Sequence, residues 1–491
     1  MSLKKISRRI DFFLISTFII GLLPASFIIH VIQGDFAGYY FLALSFLEKH
    51  EFAYQAITSI CGNPLNAGLN ARAPLVPLFI AASMSVFGTT LFGLYLPFFL
   101  ARIFLMPLTY LVAKQYIDRR IAFLASSLLL FIPKLQTYAF GSPEADVYVA
   151  LFYILALLFY FKSENFRNRW YSVFFGLSLG LGALSKSIGL AIGIGFFLTI
   201  FVNYLLLKPK KLYPKNFLLF ISSILISIGP YLLWTIFVHH QLYLTTQHDK
   251  SLNYILVNLP SLFYTIPLYL GMNFSLGLKA FIVSCAFLAL FLFGIARAIR
   301  QKHFELIFPS VVTLVLISLL STCLIGANIP ANYEFITILG FTMIPSIILF
   351  FLGVEGVLFF AKSIFRKINA PKYVFTLFSL LFVIAIYFKF VNNFFSAPYA
   401  LNFIPSDYYI TMKTVVTNRE QTTDVVFERE NNLWIFKGPN IKKSLQKQFY
   451  DERSEPFSPT YVRLALLSAI LSLVLFIFTV TWAKDKYWIK K

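Results

Sequence analysis

The sequence predicts an all-α polytopic membrane protein of about 12 transmembrane helices. An external first loop carries surface helices, and a small external α+β segment lies near the C-terminus. Three observations carry this. Hydrophobic residues make up 58% of the chain and charged residues 13%, against about 25% charged in a soluble protein. Apolar runs long enough to cross a bilayer recur along all 491 residues. Lys and Arg gather in alternate connectors, as the positive-inside rule requires of a multi-span protein.

The net charge is +21 and the isoelectric point about 9.7. In a soluble chain this would suggest nucleic acid. In a chain of mean hydropathy +0.76 the cations belong to cytoplasmic loops, where they set topology and meet anionic lipid. No nucleic-acid partner is expected. The three cysteines, Cys61, Cys285 and Cys323, form no CxxC pair, so neither a disulfide framework nor a zinc site is indicated.

Taken in order, the basic N-terminus precedes an apolar run from Phe12 to Ile32. It is longer than a signal-peptide core and lacks an A-x-A site, which predicts a retained first span with a cytoplasmic N-terminus. The next apolar stretch, 74–88, is bounded by Pro74, Pro77 and Gly88. A crossing helix needs about 20 residues, so this stretch is expected to lie along the membrane or dip into it.

Charge parity tests that reading. With 74–88 not crossing, spans fall near 93–113, 121–140, 146–161, 171–186, 187–207, 217–238, 278–298, 306–325, 333–360, 374–393 and 461–483. The basic connectors Lys114–Arg120, Lys162–Arg169, Lys208–Lys215, Arg297–His303, Lys362–Lys372 and Lys484–Lys491 then share the cytoplasmic side. A crossing at 74–88 would invert all of them. The organisation expected is a transmembrane core, 1–393, with an external loop at 34–92. An external segment, 394–460, and a last span with a basic tail, 461–491, follow. Segment 239–277 reads as an external flap. Within 394–460, alternating runs such as Asp424-Val425-Val426-Phe427 and Leu433-Trp434-Ile435-Phe436 read as short strands.

The residues that could carry chemistry are the ionisable groups on the external side. Asp35 follows the first span directly. An acid at a membrane edge needs water, a pocket or a partner, and it could equally cap the helix that starts near Phe36. Glu144 and Asp146 lie in Gly141-Ser142-Pro143-Glu144-Ala145-Asp146. There they suit a helix N-terminus or supply a second carboxylate facing Asp35. Arg72 precedes the short surface helix, where its guanidinium could hold a phosphate bidentately. Lys186 sits on the outside, against the charge trend, and either snorkels to lipid phosphate or binds the phosphate of a substrate. Arg102, near the outer part of its span, is a third cation needing an anion. His239, His240 and His248 have spacing that favours interfacial contacts over a metal. No metal and no cofactor are expected, with a divalent cation left open.

The order of these features resembles the GT-C superfamily of polytopic glycosyltransferases. It is closest to the protein O-mannosyltransferase and lipid A aminoarabinose transferase branch. An external Asp after the first span is followed by Tyr39-Tyr40, a basic residue with Pro74-Leu75-Val76-Pro77-Leu78, Phe87-Gly88, Ala101-Arg102, an acid after Ser142-Pro143, and Gly180-Leu181-Gly182-Ala183-Leu184-Ser185-Lys186. The likeness covers residues 10–200 well and the rest in outline. It implies a hexosyl- or pentosyltransferase that moves a sugar from a polyprenyl-phosphate donor to a lipid, glycan or protein acceptor on the external face. It places the loop acid at Asp35, the second acid at Glu144 or Asp146, and donor-phosphate binding at Arg72 and Lys186. The sequence departs from the pattern at Ala71 and Ala73, and at Asn332-Tyr333-Glu334 where an Arg-Tyr is common. Charge parity puts both termini in the cytoplasm, and the chain is expected to be an integral membrane protein of the bacterial inner membrane.

The chemistry agrees with the parts independently. A lipid-linked sugar phosphate carries its own leaving group, cations offset its charge, and an acid such as Asp35 accepts the acceptor's proton. A sugar flippase or secondary transporter is the rival reading; it predicts an internal repeat and matching broken helices, which the sequence does not display. A membrane scaffold would tolerate replacement of Asp35, Glu144 and Lys186 together. The topology is checked by labelling single cysteines: Asn66→Cys and Arg167→Cys should react from opposite sides of the membrane, and same-side labelling would defeat it.

Overall fold

The computed structural model describes residues 11–25, 39, 42–43, 46–47, 50, 56–57, 73–89, 91–127, 129, 145–186, 188–207, 213–239, 278–313, 344–357, 414–418, 421–430 and 433–437. The helices in chain order are α1 (Phe12–Ala25), α2 (Leu75–Phe87), α3 (Leu91–Tyr116), α4 (Arg119–Ser127), α5 (Asp146–Ser163), α6 (Arg169–Ser185), α7 (Ile188–Leu207), α8 (Pro214–His239) and α9 (Leu278–Gln301). Two shorter apolar helices follow, α10 (Phe304–Thr313) and α11 (Ile344–Val357). Among the described residues, four helices are long and apolar enough to cross a membrane: Phe92–Tyr116, Asp146–Ser163, Ile188–Leu206 and Pro214–Leu233.

α2 is the short helix that charge parity predicts not to cross. It has 13 residues, about 20 Å of rise, against about 30 Å of hydrocarbon. Pro74 starts it and Gly88, at φ 75°, ends it. That conformation favours glycine. Its buried positions, Leu75, Val76, Ile80, Ala81 and Met84, recur at helical spacing, while Val86 and Phe87 are exposed.

α5 and α6 form an antiparallel hairpin. The turn between them has left-handed backbone at Glu164, Asn165 and Phe166. Phe166 is buried against Phe175, Phe217 and Phe220, which offsets the cost of that backbone. Asn168 caps α6 by accepting the Tyr171 N–H. α3 runs parallel to α5, since Phe98 meets Tyr148 near one end and Tyr116 meets Phe161 near the other.

These contacts sort the connectors. Tyr116 also meets His303, and Asn216 donates to the carbonyls of Phe166 and Arg167. Elements flanking connectors 114–120, 162–169, 208–215 and 297–303 therefore gather at one end of the bundle. Ion pairs stand there too: Lys114–Asp11 at 3.0 Å and Arg297–Glu355 at 2.9 Å. The large core cluster fills this end and the middle, from Tyr110 and Phe123 through Tyr153, Phe175 and Phe196 to Phe350. A second cluster at the opposite end joins α2, the start of α3 and the start of α5 to Tyr39 and Ala43 of the first loop.

Small residues let helices approach closely, a main source of helix association in lipid. A Cβ at Gly176 would strike the Ser223 hydroxyl and the Phe220 carbonyl, and one at Gly180 would strike Ser227, so α6 and α8 pack backbone to backbone. Gly294 of α9 and Gly353 of α11 meet in the same way.

Residues 414–437 carry three antiparallel strands, β2 (Thr414–Asn418), β3 (Gln421–Glu430) and β4 (Leu433–Lys437). The two-residue strand β1 (Ala56–Ile57) joins β2 with Ala56 opposite Val416, giving the order β1-β2-β3-β4. A strand of the first loop thus hydrogen-bonds to the segment near the C-terminus, and one hydrogen-bonded ladder lies on one side of a bilayer. The spans expected at 374–393 and 461–483 and the flap 239–277 lie outside the described residues.

Gly176→Val should destabilise the protein by about 1–3 kcal/mol through overpacking, read as a lower thermal midpoint in detergent. Gly193→Val, where an added Cβ meets nothing within 4 Å, should leave the midpoint nearly unchanged.

Candidate functional site

The site lies at the open end of the α5–α6 hairpin, away from the basic connectors. Asp146 is the first residue of α5, and its side chain is 2% exposed. Lys186 ends α6 with extended backbone at φ −161°, ψ 142°. Its Nζ donates to Asp146 Oδ1 at 2.7 Å, and its side chain is 27% exposed. Residues forty positions apart are thereby locked into a charge-assisted hydrogen bond.

Local chain geometry delivers Lys186 there. α6 stops at Ser185, whose hydroxyl donates to the Leu181 carbonyl, and α7 starts at Ile188. The Gly189 N–H returns to the Lys186 carbonyl at 2.8 Å. So sharp a reversal brings the Gly182 and Gly189 backbones together, where a Cβ on Gly189 would collide with Gly182. Gly182 also lies against Phe152 of α5 at 3.4 Å from a would-be Cβ. Glycines in Gly180-Leu181-Gly182 and Ile188-Gly189 thus place the ammonium over the start of α5.

Electrostatics favours the arrangement. A buried carboxylate is costly unless paired, and the helix N-terminus adds partial positive charge beside Asp146. Ala145, Val147 and Tyr148 surround it with apolar cluster, and Leu184 beside Lys186 packs on the same cluster. Asp146, expected as a second catalytic carboxylate, has its Oδ1 engaged with the Lys186 ammonium.

Arg102 lies on α3, half-buried, one turn beyond Phe98, whose ring meets Tyr148 at 5.3 Å. This sets it at the level of the same cluster. Asp35, Arg72 and Glu144 lie outside the described residues. The residues that follow Arg72 and Glu144 are described: Ala73 and Pro74 enter α2, and Ala145 enters α5. Among the described residues no group of three His, Cys, Asp or Glu could hold a metal ion. His239, His240 and His248 are not among those whose side chains are described.

Sequence reasoning missed Tyr148. Its ring packs between Phe79 of α2 and Phe98 of α3 at 5.5 and 5.3 Å. Its hydroxyl is buried with no hydrogen-bond partner among the described residues. The available signal was its place two residues after Asp146, but a chain with 58 Phe and 27 Tyr hides one aromatic among many.

A helical membrane bundle with a lysine–carboxylate pair at one end is the class of protein these observations define. Residues 71–234 match the family model described as dolichyl-phosphate-mannose-protein mannosyltransferase, about a third of the chain. That stretch contains α2 through most of α8, with the pair inside it, and supports the resemblance to GT-C membrane glycosyltransferases. Among solved structures the chain is similar to ArnT from Cupriavidus metallidurans in the apo state. The TM-score is 0.48 at 14% identity, over 80% of this chain and 65% of that one. It is also similar to the oligosaccharyltransferase AglB from Archaeoglobus fulgidus in complex with an inhibitory peptide and a dolichol-phosphate. There the TM-score is 0.43 at 16% identity, over 79% of this chain and 55% of that one. The chain thus spans less than two thirds of either neighbour. No curated protein sequence matches the chain.

Lys186→Met should cost about 3–5 kcal/mol, because it removes the cation of a buried ion pair. Adding Asp146→Asn should recover much of that loss. Thermal unfolding in detergent checks both; an unchanged midpoint for the single variant would show that the pair does not support the fold.

Proposed function

We propose that the chain is a membrane glycosyltransferase that moves a hexosyl or pentosyl group from a polyprenyl-phosphate donor to a lipid, glycan or protein acceptor. The observation that carries this is the Lys186–Asp146 pair at 2.7 Å, inside the stretch matching a dolichyl-phosphate-mannose-protein mannosyltransferase family model. ArnT from Cupriavidus metallidurans bound to undecaprenyl phosphate and AglB with a dolichol-phosphate are the neighbours whose ligands have this chemistry.

In the proposed reaction the acceptor's oxygen or nitrogen attacks the anomeric carbon from the face opposite the phosphate. The bond between that carbon and the phosphate oxygen breaks, and the configuration inverts. The carrier leaves as a phosphate monoester with one more negative charge. Lys186 and Arg72 offset that charge as it develops, with Arg102 deeper along α3. Asp146 holds the Lys186 ammonium in place. Asp35 takes the acceptor's proton, and Glu144, two residues before Asp146, helps orient the acceptor. The apolar surface of the bundle accommodates the prenyl chain.

The site belongs on the external face, periplasmic or luminal, with both termini cytoplasmic. The gathering of basic connectors at the opposite end of the bundle supports this orientation. The β1–β2 ladder supports an external segment 394–460 that shares a side with the first loop.

Asp35→Asn should reduce transfer by at least about 100-fold, within the range for removing a general base. Its thermal midpoint and membrane insertion should stay unchanged. The measurement is sugar transfer by purified protein from a synthetic polyprenyl-phosphate sugar. Near-normal turnover would remove Asp35 from the base role.

A further inference from the structure

The α5–α6 turn and the start of α8 form a cationic, aromatic corner at the end of the bundle opposite the Asp146–Lys186 pair. Arg167 is 71% exposed on its side chain, and its contact with Glu164 is long, at 3.9 Å. Arg169 lies over the Trp170 ring at 5.6 Å and Lys162 over the Tyr171 ring at 5.3 Å. Lys215 is exposed on α8. Next to it, Asn216 donates to the Phe166 carbonyl at 2.7 Å and the Arg167 carbonyl at 3.1 Å. These bonds and the buried Phe166 hold the backbone that carries Arg167 beside the start of α8 that carries Lys215. Glu164 is the only acid in the turn.

Apolar surface continues from these cations along both helices. Trp170 is 63% exposed and stands one turn before exposed Phe174. Lys215 stands one turn before Leu218, which is 65% exposed. Exposed Tyr213 completes the aromatic rim. Cations at the ends of lipid-facing helices, with Trp and Tyr beside them, match a phosphate headgroup above acyl chains. An acidic peptide would use the cations and leave the apolar walls uncovered.

We infer that this corner is a shaped binding site for an anionic phospholipid, with the headgroup phosphate between Arg167 and Lys215 and the acyl chains along Trp170 and Leu218. It differs from the diffuse attraction any basic loop has for an anionic membrane, because the turn and the start of α8 that carry its cations and apolar walls are fixed to each other through Asn216 and Phe166. It does not depend on the transferase reading.

The test is native mass spectrometry of full-length protein with added phosphatidylglycerol, phosphatidylcholine or undecaprenyl phosphate, together with thermal unfolding in each lipid. Wild-type protein should retain phosphatidylglycerol over phosphatidylcholine. Arg167→Gln/Lys215→Gln should lower that retention about fivefold or more while keeping the lipid-free thermal midpoint. Arg300→Gln/Lys302→Gln, which removes two exposed cations from another connector, should keep it. Equal loss in both double variants would overturn the site in favour of diffuse charge. Retention unchanged by Arg167→Gln/Lys215→Gln, or undecaprenyl phosphate lost instead of phosphatidylglycerol, would overturn it as well.

Discussion

The ion pair between Lys186 and Asp146 is the constraint around which this end of the bundle is arranged. A carboxylate 2% exposed in an apolar cluster is costly to bury without compensation, and a close cationic partner supplies it. That partner arrives from the far end of α6, so the pair closes the hairpin that the Glu164–Phe166 turn begins. Helix α5 is held at both ends: by the pair at its N-terminus, and by the Tyr116–Phe161 contact and the left-handed turn at its C-terminus. The same bond holds the Lys186 charge in one place, which is what the proposed phosphate-binding role would need to act without reorganisation.

Packing and charge divide the work along the bundle. In the middle, Gly176 and Gly180 face Ser223 and Ser227 and let α6 and α8 touch. The hydrophobic effect does little to drive helices together within lipid, so this closeness matters more than the apolar content of the helices. At the end bearing the basic connectors, Asp11 with Lys114 and Glu355 with Arg297 pin elements distant in sequence. At the other end, α2 lies against α3 and α5 through Ile80, Met84, Phe98 and Tyr148. The proposed chemistry is placed at the end where α2 packs, and the proposed lipid contact at the end that bears the basic connectors.

Much of this was legible in the sequence because the bilayer imposes simple rules. Span length, the exclusion of charge and the alternation of basic connectors foretold where α3, α5, α6, α7, α8 and α9 lie, within a few residues. They also set 74–88 apart as a short apolar stretch, where α2 has 13 residues. Parity put Asp146 and Lys186 on one side before any contact was known. Segments around Asp35, Arg72 and Glu144 obey no such rule, since a polar loop outside the membrane is free of the length and charge limits that discipline a span.

What the sequence determined by itself is the membrane class, the order of the helices and the identity of the charges that must find partners. It did so because an ionisable residue in or beside hydrocarbon is costly wherever it stands. Only the tertiary structure decided which partner each charge takes. Asp146 could have faced Asp35, and Lys186 could have reached lipid phosphate. They meet because Gly182 and Gly189 allow the reversal between α6 and α7, and because α5 and α6 pack closely enough to bring their far ends within one hydrogen bond. That choice depends on backbone geometry summed over forty residues of separation, which no local pattern encodes.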